Sequence, residues 1–409
     1  VSTLFTNVRI FDGTPNPARE GSVLVEGDRI VRVAYAPDAI VADGADVVDG
    51  QGGTLMPGLV EAHAHLTWAS SVEKIYHAFI LPPEELEVAA TRNARVLLDH
   101  GFTSAYSAGA LGDGIEVRLA AAIAAGKTPG PRLIPSTLER SPEGAEGVET
   151  GDVFNGRGPD AMRAFMQYCA DEGIGSVKLV ISGESALKPD SHNDVLYTRE
   201  EMEAAYAAAR EHGLWIATHA YTDAAVDLAL TAGARIIYHA SYISDETIAK
   251  LAAKKDEVFY APGCGVSVAA LEASPPPHID MSSMKNSAAE RMALEGVLVP
   301  KMKAAGVKIL IGGDYGFPFN PNGRNARDIA HFVEYFGYSP LEALAAATSL
   351  GGELMGLEVG AVREGYLADL LLVDGDPTAD VAILQDKDRL QAIMKGGVFY
   401  KAPAKVAVA

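Results

Sequence analysis

From about residue 54 to residue 357, short apolar runs alternate with longer amphipathic ones, the pattern of repeated β/α units around a parallel sheet. Eight strand candidates can be counted, at about 54–63, 102–107, 132–136, 176–181, 215–219, 235–239, 257–262 and 307–313. Eight such units predict a closed (β/α)8 TIM barrel, with a doubly wound open sheet as the structural rival. The intervening helices carry boundary signals. Thr198-Arg199-Glu200-Glu201 reads as an N-terminal capping box, and Gly101, Gly213 and Gly306 read as C-terminal stops.

A barrel uses roughly 250 residues, so this 409-residue chain has material left at both ends. Residues 1–53 read as short strands between turn pairs such as Asp12-Gly13 and Gly27-Asp28, and residues 358–409 repeat that style. Each end is too small to bury a core alone. The expectation is therefore one composite β-sandwich domain from 1–53 and 358–409, beside a barrel domain at 54–357. Two connections, about 137–159 and 262–290, exceed ordinary loop length and would sit at the barrel's C-terminal mouth. They are lid candidates, with surface decoration or an oligomer contact as the alternative.

Acidic residues outnumber basic ones 54 to 34, a formal charge of −20 that would repel a polyanion, so nucleic acid is set aside as a partner. No apolar run reaches the roughly 18–20 residues of a membrane-spanning helix. The expectation is a soluble, cytoplasmic protein that does not bind membranes. The chain opens on Val1 rather than Met, which leaves a removed start residue, tag or export signal open. Two cysteines, Cys169 and Cys264, cannot build a disulfide framework.

Chemistry-bearing residues cluster at the ends of predicted strands. His63-Ala64-His65 closes the first; residues i and i+2 of a strand share a face, so both imidazoles can chelate one ion. Lys178 interrupts the apolar run Ser176-Val177-Lys178-Leu179-Val180-Ile181. Burial favours a neutral amine, which can react with carbon dioxide to give a two-oxygen carbamate able to bridge two cations. The alternative is a lysine reaching to solvent from a strand end. His219 and His239 end two successive strands, either alone being readable as a hydrogen-bonded core histidine, and Asp314 ends Lys308-Ile309-Leu310-Ile311-Gly312-Gly313-Asp314 as a ligand or acid–base group. His100 and His212 precede glycines at helix ends and read as caps. His192 and His278 fall in loops where they could touch substrate, and His77 and His331 have no such placement.

These motifs, taken in order with Pro57-Gly58-Leu59-Val60-Glu61-Ala62-His63, Thr218-His219-Ala220-Tyr221, Ala345-Ala346-Ala347-Thr348 and Gly365-Tyr366-Leu367-Ala368-Asp369-Leu370, resemble the amidohydrolase superfamily over almost the whole chain. The resemblance is to the binuclear, carboxylated-lysine type, and within it to the imidazolonepropionase-like group of Xaa-Pro dipeptidases, carboxypeptidase-like enzymes and ochratoxin-hydrolysing amidases. One departure bears on specificity. Relatives often carry a Gly-Gly-His-type loop after the third strand, where this chain has Ser136-Thr137-Leu138-Glu139-Arg140-Ser141-Pro142.

Carried over by position, the resemblance assigns His63, His65 and Asp314 to one metal and His219 and His239 to another, with carboxylated Lys178 and a hydroxide between them. Two divalent ions against carbamate, Asp314 and hydroxide leave about one net positive charge to meet developing negative charge. Imidazole and carboxylate donors suit Zn²⁺, and manganese or cobalt fit the same geometry. The implied activity is hydrolysis of a small-molecule amide, with Asp314 shuttling the proton and Tyr221 donating to the oxyanion, unless Tyr221 is a packed aromatic. A substrate carboxylate would need a cation at the mouth, for which Arg140 and Arg324 are the loop candidates. The resemblance also implies a homo-oligomer. The rival activities are deamination or cyclic-amide hydrolysis on the same barrel, and, more remotely, a non-catalytic scaffold.

Overall fold

The computed structural model describes residues 2–68, 82–142, 155–186 and 188–403. Its strands at both chain ends hydrogen-bond into one sheet: β1 (Ser2–Ile10), β2 (Arg19–Glu26), β3 (Arg29–Tyr35), β4 (Asp46–Asp49) and β5 (Thr54–Pro57) from the first end, β14 (Leu370–Val373), β15 (Leu390–Lys395) and β16 (Val398–Lys401) from the last. The ends meet where β14 runs antiparallel to β5, with Leu371 opposite Met56. Strand alternation lets β14 serve two cores. Leu370 and Leu372 join Phe5, Val23 and Leu55 within the terminal sheet's own cluster, while Leu371 and Val373 pack into the main core.

The remaining strands are β6 (Leu59–Ala64), β7 (Phe102–Ser107), β8 (Arg132–Ile134), β9 (Ser176–Val180), β10 (Trp215–Thr222), β11 (Ile236–Tyr242), β12 (Phe259–Ala261) and β13 (Lys308–Ile309). Each of the eight predicted segments overlaps one of them. They pair in parallel and in chain order, β6 to β8 in one sheet and β9 to β13 in another. The barrel is not closed by a continuous ladder. Isolated parallel bridges lie at the two seams, Ser136 to Ser176 and Ala64 to Tyr315. The arrangement is TIM-barrel-like, with helices such as Arg199–His212 between strands. That helix carries the expected capping box on Thr198 and Glu201 and stops at Gly213, whose φ of 68° is the left-handed region glycine favours.

The run expected as one strand at 54–63 is two. At Gly58 the chain leaves the terminal sheet for the barrel, its N–H donating to Asp369 O at 2.9 Å. A Cβ there would lie 2.0 Å from Thr103 Oγ1, so the crossing needs glycine. The long connection 262–290 also differs from a loop. It contains the buried helix Cys264–Glu272 and the start of the helix Ser282–Ala304, and Val266, Met284 and Arg291 from these helices line the barrel mouth. A short helix with almost no polar face gives little periodic signal. In the other connection, residues 143–154 lie outside the described residues, as does His77. Among the described residues no helix is long and apolar enough to cross a membrane.

Candidate metal centre and active site

Alternation along the barrel strands aims the chemistry inward. On β9, Val177 and Leu179 pack outward among the helices, leaving Lys178 and Val180 to line a cavity. On β10, Ile216 packs outward and Ala217 inward, and His219 follows Ala217 by two residues into the same cavity. β11 breaks this rule. Ile236 and Tyr238 face inward and Ile237 outward, so strict alternation would send His239 outward. Left-handed backbone at His239 (φ 76°) and Ala240 (φ 42°) interrupts the period where the imidazole enters the cavity. Asp314 is left-handed as well (φ 56°). Such strain costs about 1–3 kcal/mol per residue and persists only where surrounding contacts enforce it.

The cavity holds about 160 Å³ and is lined by His63, His65, Lys178, His219, His239 and Asp314 together. Imidazole centroids lie 5.1 Å apart for His63 and His65, 5.4 Å for His63 and His239, and 4.6 Å for His219 and His239. Asp314 Oδ1 is 3.1 Å from His65 Nε2 and 3.7 Å from His63 Nε2. Donor atoms of His63, His65 and Asp314 all fall within 4.8 Å of one another, the spacing of a candidate metal site. His65 Nδ1 lies 2.9 Å from Gly109 O, and since a carbonyl can only accept, Nδ1 carries a proton and the neutral ring would offer its Nε2 lone pair to the cavity. Buried atoms without a properly directed hydrogen bond among the described residues include His219 Nε2 and Asp314 Oδ1. Convergent, unsatisfied lone pairs in a buried cavity fit metal ions.

For three of the four imidazoles the electrostatics agree with that fit. Burial, with Lys178 and the other imidazoles beside it, holds His63 well below the ordinary imidazole range; burial and His219 do the same to His239. Burial also lowers His219. Neutral imidazoles are the form that ligates. For His65, burial is outweighed by the Asp314 and Glu139 carboxylates, and its pKa rises. Asp314 is depressed despite burial, through His65, Lys178 and His219. Lys178 is 1% exposed, which removes the solvent-reaching alternative. Its Nζ donates to Ala108 O at 2.8 Å, sits 4.7 Å from the Tyr238 ring centroid, and is 3.8 Å from Glu139 Oε2.

The loop cations expected at the mouth lie elsewhere. Arg140 is fully buried and donates to Tyr197 Oη at 3.1 Å and to Gly156 O, tying down the segment after β8. Arg324 is exposed, 3.9 Å from Glu272, and lines a separate cavity with Pro275 and Phe319. His278 is exposed in a turn. His192 is buried, bonded to Ser185 Oγ at 2.6 Å and stacked on Tyr242 at 4.0 Å. Tyr221 is 1% exposed, its hydroxyl donating to Glu184 Oε2 at 2.6 Å and accepting from Arg291.

Sequence reasoning missed Arg291. It projects from the helix Ser282–Ala304 into the cavity at 4% exposure, 3.6 Å from Glu184, and its Nε has no hydrogen-bond partner among the described residues. A signal existed: Ala288, Arg291, Glu295, Leu298 and Met302 follow helical spacing, so a cation and an anion interrupt the buried stripe. Trp68, stacked on His65 at 4.0 Å, and Phe317, edge-on to Trp68, form an aromatic wall that was also missed.

Comparison with known families matches residues 54–399 to the amidohydrolase family. The chain belongs to that family. This amidohydrolase is a hydrolase acting on amide bonds, from a family that generally uses metal ions. It is similar to the ochratoxinase of Aspergillus niger, 25% identical over 379 residues that cover 85% of this chain and 76% of that protein. It is also similar to the imidazolonepropionase of Rubrobacter xylanophilus, 27% identical over 439 residues covering 92% and 90%. Among solved structures, a Xaa-Pro dipeptidase with methionine bound in its active site superimposes with a TM-score of 0.86 at 23% identity, covering 98% of this chain and all of that one. That likeness shows the fold.

Proposed function

We propose that this amidohydrolase cleaves the amide bond of a small N-acyl amino acid, dipeptide or ochratoxin-like compound. Its site residues would hold a pair of divalent ions, Zn²⁺ by donor type, His63, His65 and Asp314 serving one and His219 and His239 the other, with Lys178 available to both once carboxylated by carbon dioxide. When bound, such ions polarise the carbonyl and acidify the attacking water. Asp314 accepts the proton of that water and passes it to the leaving amine, which departs poorly as an anion. The observation that carries the reading is the meeting of six donor side chains, carried on or after five barrel strands, in one cavity. The similarity to ochratoxinase supports the substrate class. Metal analysis coupled to hydrolysis of N-acyl amino acids, Xaa-Pro dipeptides and ochratoxin A tests it. About two ions per chain and turnover on one class support the reading; about one ion, with turnover of cyclic amides or amino-heterocycles instead, replaces it with the deaminase or cyclic-amide alternative.

Arg291 meets the substrate carboxylate in this reading, and Tyr221 with Glu184 holds the guanidinium in place from behind. Arg291→Met is expected to raise KM for substrates bearing a free carboxylate by about 10–100-fold, the worth of a charge-assisted hydrogen bond in a buried site. The matching carboxamide substrates should lose much less. Equal losses on both would show that Arg291 only shapes the wall.

A further inference from the structure

Behind the Gly312-Gly313-Asp314 segment lies a second buried carboxylate, Asp328, on the helix Arg327–Phe336 and fully shielded from solvent. Its Oδ2 accepts from Gly312 N–H at 3.3 Å, and its Oδ1 accepts from Tyr315 Oη at 3.0 Å. His331 Nδ1 lies 3.1 Å from Oδ1, one helical turn along. The chain is built around this group. A Cβ at Gly313 would fall 2.6 Å from both carboxylate oxygens, and one at Gly265 would fall 2.6 Å from Oδ1 and 2.8 Å from the Gly313 Cα. Two glycines from different elements thus close on one carboxylate.

What the carboxylate grips is the flank of Asp314. Gly312 and Tyr315 bracket the residue whose φ of 56° lies in the left-handed region, which residues other than glycine adopt only at a cost. The opposite side is held by Asn320 Nδ2, which donates to Gly313 O at 3.0 Å and Asp314 O at 3.1 Å. Without both clamps the turn would relax toward ordinary backbone, and the Asp314 carboxylate would swing away from His65.

We infer that Asp328 is a positioning residue: through Gly312 N–H and Tyr315 O–H it locks the left-handed turn that aims Asp314 at the reacting water. The inference rests on the proton role proposed for Asp314. Cys264, Asp328 and His331 also have the donor types of a zinc site, with ligand atoms within 4.8 Å of one another. A cation there would compete with Tyr315 Oη and His331 Nδ1 on Oδ1 and with Gly312 N–H on Oδ2, which together take most of the acceptor sites of the carboxylate, so the hydrogen-bonding role is the one the geometry favours.

The test is a double-mutant cycle in the metal-loaded enzyme, with Asp328→Asn, Asp314→Asn and both together. Misplacing a reacting group by about 1 Å loses about 10²-fold, so Asp328→Asn should lower kcat by about that factor, with KM changed less than about threefold. Added to Asp314→Asn, it should lower kcat no further, because the group it aims is already gone. In cobalt-loaded protein, Asp328→Asn should shift the visible absorption band, since Asp314 is also a proposed ligand. Tyr315→Phe removes one donor without changing the charge and serves the same cycle if Asp328→Asn fails to fold; its expected loss is about 3–10-fold. Full, multiplicative losses in the Asp314→Asn background, an unchanged cobalt band, or a third tightly bound ion lost on Cys264→Ser would each overturn the inference. If Asp314→Asn is itself fully active, the proton role fails first, and that outcome is distinct from Asp328→Asn alone proving silent.

Discussion

Asp314→Asn is expected to lower kcat by about 10²–10⁴-fold, the usual contribution of a positioned general base, while the protein keeps much of its metal. The asparagine side chain preserves shape and one ligating oxygen. It cannot accept the proton of the attacking water. Asp314 lies 3.1 Å from His65 Nε2 in the depth of the cavity, where these neighbours hold its carboxyl below the usual carboxylate range despite burial. A lowered pKa means that the charged, proton-accepting form persists to lower pH and is lost as pH falls through that value. The wild-type rate should therefore fall on the acid side, and the residual rate of Asp314→Asn should lack that limb. Turnover and metal content measured on the same preparations separate the two roles. Unchanged turnover removes the proton shuttle; loss of all metal assigns Asp314 to ligation before catalysis.

The parts of this site readable from sequence are those that strand geometry fixes. A histidine, lysine or aspartate at the end of an apolar run can be placed on the cavity side because side chains alternate and all strands are parallel. Lys178 and His219 follow that logic. His239 reaches the cavity by breaking it, through two left-handed residues that no propensity argument would assign to Tyr238-His239-Ala240. The split of the entry strand at Gly58 was hidden for a related reason, because a glycine in an apolar run is ordinary until the Thr103 side chain is seen against it.

Binding residues are common in loops, which points to Arg140 and Arg324 as the cations for a substrate carboxylate. The structure buries one against Tyr197 and leaves the other exposed beside Glu272. Arg291 comes instead from the middle of a long helix that folds against the mouth, a tertiary fact set by how Ser282–Ala304 packs on its neighbours. Only the interruption of its buried stripe marked it. Asp328 left little mark, since apart from His331 one helical turn along its partners are the Gly312 backbone and a tyrosine thirteen residues away.

Lys178→Ala should reduce bound metal from about two ions per chain to about one or fewer and lower turnover by at least about 10³-fold, since the proposed carbamate is the one protein-derived anion that would be shared by both ions. Two readings of this lysine make opposite predictions. As an ammonium, Lys178 would satisfy Ala108 O at 2.8 Å and face Glu139 across 3.8 Å, and its removal would lower stability while leaving four imidazoles and Asp314 to bind metal as before. As a carbamate precursor, it would make metal uptake by the stripped wild-type protein depend on bicarbonate. It would also let a small added carboxylate, such as acetate, restore part of the activity of Lys178→Ala by filling the vacated space with a two-oxygen anion. Lys178→Glu, which carries its own shorter carboxylate, should then retain more metal than Lys178→Ala. Metal uptake indifferent to bicarbonate, together with a Lys178→Ala protein that still binds two ions, would leave Lys178 as a buried structural cation and require another group to bridge the pair. Glu139 is the carboxylate nearest to that position, so Glu139→Gln in the Lys178→Ala background would decide which of the two anions holds the second ion.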